Sequence, residues 1–148
     1  MPQIDRITSS IYKKFYVEMA HKLITDYETP CNHIHGHSYL IELGIVGKQL
    51  DQNGMICDFT KLKPFIEQIK HKFDHKTLVY DPTSKSSDIS GQGITTVNYN
   101  PTAENMANDI CHELFEYIKY IDVDAIALSV SVRETENNKA VVNMSIIG

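Results

Sequence analysis

His35-Gly36-His37-Ser38-Tyr39-Leu40-Ile41-Glu42-Leu43-Gly44-Ile45 alternates along its whole length. Its odd-numbered residues, His35, His37, Tyr39, Ile41, Leu43 and Ile45, share one face of an extended strand that runs from imidazole to aliphatic. Upstream, Phe15, Val17, Met19 and His21 share a face in the same way, opposite Tyr16, Glu18 and Ala20. The polar, Pro-containing segment Thr25–Asn32 between the two strands reads as their connecting loop. Asp51-Gln52-Asn53-Gly54 marks a turn after the second strand.

The period then changes. Leu62, Phe65, Ile66, Ile69 and Phe73 predict an amphipathic helix over roughly residues 60–72, with Pro64 tolerated near its first turn. Residues 81–101 are rich in Ser, Thr, Asp, Gly and Pro and predict a long loop. Thr102 then precedes Met106, Ile110, Leu114 and Ile118 as the N-cap of a second helix. Alternation returns in Ile126, Leu128, Val130, Val132 and Glu134, and again in Ala140, Val142, Met144 and Ile146.

The order strand, strand, helix, helix, strand, strand predicts an α+β fold, with a four-stranded antiparallel sheet carrying two helices on one face. The other face, bearing Leu40 and Val46, is left open and predicts a homo-oligomer.

The 148 residues suit one domain, 1–148, and an apolar content of 42% supplies a core. A net charge of −5 with no basic run argues against nucleic acid as a partner. No apolar run is long enough for a membrane span, and the N-terminus lacks the pattern of a signal peptide. Three cysteines, an odd number, favour a reduced, cytoplasmic setting over a disulfide framework.

His35 and His37, at i and i+2, stand about 6–7 Å apart at Cα on one strand face, close enough to share an ion. His21 could be a third ligand, leaving an open fourth position of the kind a catalytic zinc needs. Two surface histidines and a core His21 are the plainer alternative. A cupin-type set extended by Glu42 is the weaker reading, because Glu42 has the opposite strand parity. Cys31 lies in a polar loop four residues before His35, where a bound dication would favour its thiolate. Cys57 and Cys111 read as small buried residues. Asp74-His75 is either an acid–base pair or a helix terminus favoured by its dipole. Glu134, on an apolar face, either meets a cation or a guanidine-like ligand edge, or is exposed at the strand end. His71 and His112 read as solvated, and His33 stays unassigned.

Several segments together resemble the 6-pyruvoyl-tetrahydropterin synthase / 6-carboxy-tetrahydropterin synthase family. They are Ala20-His21, Cys31-Asn32-His33-Ile34-His35-Gly36-His37-Ser38-Tyr39, Gly54-Met55-Ile56-Cys57-Asp58-Phe59, Asp74-His75, Pro101-Thr102-Ala103-Glu104-Asn105 and Glu134-Thr135. The resemblance runs from about residue 12 to the C-terminus. It implies the tunnelling fold, whose subunits close into a barrel and commonly form homohexamers, here a dimer of trimers.

By that resemblance His21, His35 and His37 would bind Zn2+, and Cys31 would be the general base. Asp74 and His75 would form a second proton relay, and Glu134 with Thr102 nearby would anchor a pterin at a subunit interface. The implied substrate is 7,8-dihydroneopterin triphosphate, whose side-chain hydroxyls zinc would bind. The implied product is 6-carboxytetrahydropterin, with acetaldehyde and triphosphate, as in the queuosine-pathway enzyme. The alternatives are the 6-pyruvoyl product and a non-catalytic metal- or pterin-binding module. A third, folate-serving branch carries Glu where this chain has Asn32, and is set aside because Cys31 is present. The departures from the family pattern are Met19, where small residues are usual, and the Ser/Gly-rich stretch at 84–93.

Overall fold

The computed structural model describes residues 1–85, 87–90 and 92–147; Ser86 and Gly91, which belong to the 84–93 stretch, and Gly148 lie outside the described residues. In chain order the elements are β1 (Ser9–His21), β2 (His35–Gly47), α1 (Lys63–Phe73), β3 (Lys76–Tyr80), β4 (Ser87–Ile89), β5 (Ile94–Val97), α2 (Ala103–Tyr120), β6 (Ala127–Thr135) and β7 (Asn138–Ser145). Short 3-10 turns cover Pro30–Asn32 and Phe59–Leu62.

β1 and β2 pair antiparallel without a break, from Ser9 opposite Gly47 to His21 opposite His35. β6 pairs with β2 and β7 with β6, also antiparallel, which gives the four long strands that the alternation predicts. The sheet is larger than four strands, however. Among the described residues it has seven, in the order β4-β5-β3-β1-β2-β6-β7. It is also mixed, because β3 runs parallel to β1 and β5 parallel to β3. Residues 81–101 are correspondingly not one loop, since they contain β4 and β5.

Alternation sorts the two faces. Phe15, Val17, Met19 and His21 of β1, Tyr39, Ile41, Leu43 and Ile45 of β2, and Leu128, Val130 and Val132 of β6 are all buried. They share one core with Phe65, Ile69 and Phe73 of α1 and with Met106, Ile110, Leu114 and Ile118 of α2. Both helices therefore cover the same face. Pro64 sits in the first turn of α1, and Thr102 caps α2 by accepting a bond from the Asn105 amide at 3.1 Å. Cys57 and Cys111 are buried, as expected for small apolar residues. The other face carries Tyr12 and Tyr16 in exposed positions. No helix among the described residues is long and apolar enough to cross a membrane.

Ile41 is fully buried at the centre of the sheet. Ile41→Ala is expected to cost about 2–5 kcal/mol, from lost transfer energy plus the cavity left behind. Urea denaturation at fixed protein concentration checks it through the midpoint, with the slope unchanged.

Candidate metal centre

Because the β1–β2 register ends at the His21–His35 pair, with Met19 opposite His37, the three imidazoles gather at one end of the helix-covered face. Their ligand atoms all lie within 4.8 Å of one another, so three histidines are placed to hold one metal ion. Backbone carbonyls fix two of the rings. His21 Nδ1 donates to the Pro101 carbonyl at 2.7 Å, and His35 Nδ1 donates to the His33 carbonyl at 2.7 Å. A carbonyl only accepts, so each Nδ1 carries the hydrogen, and each ring, when neutral, presents a lone pair at Nε2. Those two Nε2 atoms stand 3.1 Å apart. Facing lone pairs repel unless a cation lies between them.

His37 Nε2 is also buried without a hydrogen-bond partner among the described residues. Burial holds the His21 imidazole down to about 4, with a smaller contribution from the neighbouring His35 and His37 and against the opposing pull of its bond to Pro101. Near neutral pH it is an uncharged donor, the form a metal requires. The residues present therefore fit a divalent cation of the imidazole-preferring kind. The Nδ1–carbonyl bonds are the orienting contacts that ligating histidines ordinarily make. Cobalt(II) is expected to bind with a stoichiometry of one per chain and to give the visible spectrum of a low-coordinate site. Titration monitored by absorbance checks it.

Glu134 continues the buried face of β6 and brings Oε1 to 3.9 Å from His21 Nε2. Its side chain is 24% exposed, between the buried and exposed settings that its sequence position allows. Tyr39 lies beneath the cluster, its ring 5.4 Å from that of His37 and 5.8 Å from that of His21. Its hydroxyl is buried without a hydrogen-bond partner among the described residues. Burial, reinforced by the charge of Glu134, pushes that phenol's pKa up and keeps it protonated. Glu134 also lines a cavity of about 370 Å³ with Ala103 and Glu104 at the start of α2.

Thr102 stands next to Pro101, and its side-chain oxygen is already engaged as the α2 cap. Thr102→Ala is expected to cost about 1 kcal/mol of stability through the lost cap. If the hydroxyl also meets a ligand, KM rises in the same variant, and steady-state kinetics beside thermal denaturation separates the two effects.

Cys31 is half-buried on the 3-10 turn just before β2. Asp74 and His75 do form a pair, His75 Nδ1 to Asp74 Oδ2 at 3.2 Å. Glu18 of β1 holds both: its amide donates to Asp74 Oδ1 at 2.9 Å, and its carbonyl accepts from the His75 amide at 2.6 Å. His75 has φ +60°, a left-handed conformation costly for a non-glycine residue and sustained only when surrounding contacts impose it. The side chain of His75 is 78% exposed. It lines a shallow cavity of about 490 Å³ with Glu18, Ala20, Gly36 and Ser38, which Met19 and His37 also border.

Glu18, Ala20, Gly36 and Ser38 have the opposite parity to His21, His35 and His37. Within one chain the pair therefore stands beside side chains of the face opposite to the one that carries the imidazoles, with His37 bordering the same cavity. The residues that sequence reasoning missed are Pro101, His33 and Glu18, which act through backbone groups, and Tyr39, visible only as a member of the alternating face.

Comparison with known proteins adds the following. The sequence model described as 6-pyruvoyl tetrahydropterin synthase matches residues 10–145. The chain is 30% identical over 125 residues to the 6-carboxy-5,6,7,8-tetrahydropterin synthase of Rickettsia typhi, covering 81% of this chain and 89% of that one. It is 34% identical over 110 residues to the 6-pyruvoyl tetrahydrobiopterin synthase of Dictyostelium discoideum, covering 73% and 69%. The crystal structure of the Plasmodium vivax 6-pyruvoyl tetrahydropterin synthase superposes with a TM-score of 0.78 at 17% identity, over 95% of this chain and 99% of that one. The fold is thus the tunnelling fold that the sequence resemblance implies.

Proposed function

The chain belongs to the 6-pyruvoyl tetrahydropterin synthase family, and from that footing we propose a specific activity for it. With one water consumed, it converts 7,8-dihydroneopterin triphosphate to 6-carboxy-5,6,7,8-tetrahydropterin, acetaldehyde and triphosphate, as a zinc-dependent lyase of queuosine and 7-deazaguanine synthesis. The observation that carries the reading is the pair of lone pairs facing each other at 3.1 Å, on rings locked by backbone carbonyls, beside a carboxylate. The name of the Rickettsia relative supports the carboxy product over the pyruvoyl one.

His21, His35 and His37 would hold the zinc, and zinc bound there supplies Lewis-acid stabilisation of oxyanion character. Cys31 takes a proton from the substrate side chain as general base. Glu134 accepts hydrogen bonds from the pterin's amino and ring N–H groups, and Thr102 lies beside it. Asp74 and His75 form the second relay, Asp74 fixing the orientation of the imidazole.

Since that pair stands beside the face opposite to its own chain's imidazoles, the pair serving each cluster comes from a neighbouring copy. A homohexamer, a dimer of trimers in which each open face meets another subunit, supplies such a neighbour. The three free cysteines fit a cytoplasmic enzyme.

The test is incubation of the zinc-loaded protein with 7,8-dihydroneopterin triphosphate, with product mass and acetaldehyde both measured. The carboxy product with acetaldehyde supports the proposal. A pyruvoyl product without acetaldehyde assigns the sister activity, which the Dictyostelium relative keeps in view. No turnover by metal-loaded protein leaves a binding module.

A further inference from the structure

The connection between β1 and β2, residues 22–34, contains no buried side chain. Packing does not hold it, so its hydrogen bonds must. Two of them extend the β1–β2 ladder past its last pair: the Leu23 amide donates to the Cys31 carbonyl at 2.7 Å, and Asn32 Nδ2 donates to the Leu23 carbonyl at 2.9 Å. The same Nδ2 donates to Thr25 Oγ1 at 3.0 Å, while Asn32 Oδ1 accepts from the Thr29 amide at 3.1 Å. The Cys31 amide is held in turn by Thr29 Oγ1 at 3.4 Å. Next to Leu23, both backbone groups of Ile24 are taken by the Asn100 carboxamide, each at 2.9 Å, which ties the loop to the segment before α2.

We propose that Asn32 is a positioning residue for Cys31, its carboxamide bracing the turn that sets where the thiol stands relative to the imidazole cluster. Only a side chain with two N–H donors and an acceptor on one planar group fills all three contacts. Aspartate offers acceptors alone and would set a carboxylate against the Leu23 carbonyl. Alanine leaves both ends of the brace to water. The side chain is turned back onto its own loop, so it does not serve as a base and acts through its neighbour. This rests on the reading of Cys31 as general base, and the test keeps the two apart.

The full-length zinc-loaded protein is compared with Asn32→Ala and Asn32→Asp by three measurements. The first is amide hydrogen exchange over residues 22–32, together with the rate of iodoacetamide modification mapped to Cys31. The second is kcat and KM with 7,8-dihydroneopterin triphosphate. The third is bound metal and the cobalt(II) spectrum.

The expected result is faster exchange and faster Cys31 modification, with kcat lowered about 10–100-fold, KM within about twofold, and an unchanged metal site. Wild-type exchange and modification rates in both variants would overturn the brace. Loss of metal in parallel with activity would overturn it too, because Asn32 would then act on the ligand cage. If Cys31→Ala turns over like wild type, the base assignment fails on its own, and exchange and modification still decide the brace.

Discussion

His35→Ala loses both bound metal and turnover. Its Nε2 is one of the two lone pairs that face each other at 3.1 Å, and its Nδ1 is braced by the carbonyl of His33, two residues earlier. Alanine therefore removes a ligand and leaves His21 buried and His37 Nε2 without partners. Affinity for zinc should fall by more than ~100-fold, a loss that orienting contacts around a metal can produce without touching a ligand. Turnover should fall by at least ~10²–10³-fold, the scale seen when one electrostatic stabiliser of a transition state is removed. Metal analysis after gel filtration, paired with the acetaldehyde assay, reads both. Full activity in protein shown to be free of metal would end the metal-dependent reading.

Much of this was legible from alternation, because four strands bury one face and leave the other open. Tyr39, Ile41, Leu43 and Ile45 name their own face, and His35 and His37 are carried onto it by the same period. The three extra strands were not legible for a physical reason. β3 buries only Leu78, and the inward residues of β5 are Thr95 and Val97. Thr95 is tolerated inside because its hydroxyl donates to the Lys72 carbonyl, a partner that no local pattern reveals.

The site divides in the same way. Imidazoles on one strand face can be counted from sequence, whereas the carbonyls of Pro101 and His33 that set their tautomers belong to backbone with no side-chain signature. Nor does the sequence say which face His75 takes. His75 lies just outside β3 and takes a left-handed φ that no neighbouring residue announces.

Cys31→Ala should keep its metal and lose its chemistry, the opposite pattern to His35→Ala. Cys31 sits on the turn before β2 rather than in the imidazole cluster, so its removal leaves all three ligand atoms and their carbonyl braces in place. General-base catalysis contributes about 10²–10⁴-fold, and turnover should drop by that factor while zinc content and the cobalt(II) spectrum stay at wild-type values. His75→Ala should behave similarly, since its side chain is exposed on the open face and forms no part of the core.

The two variants together test where the second relay comes from. If Asp74 and His75 serve a neighbour's cluster, co-expressed Cys31→Ala and His75→Ala chains form mixed assemblies in which some sites draw an intact thiol from one chain and an intact imidazole from another. Random mixing of equal amounts restores up to about one quarter of wild-type activity. If instead each chain used its own pair, every site would carry one lesion and the mixture would stay as inactive as its components. Recovery in the mixture therefore requires the two halves of the machinery to meet across a subunit boundary.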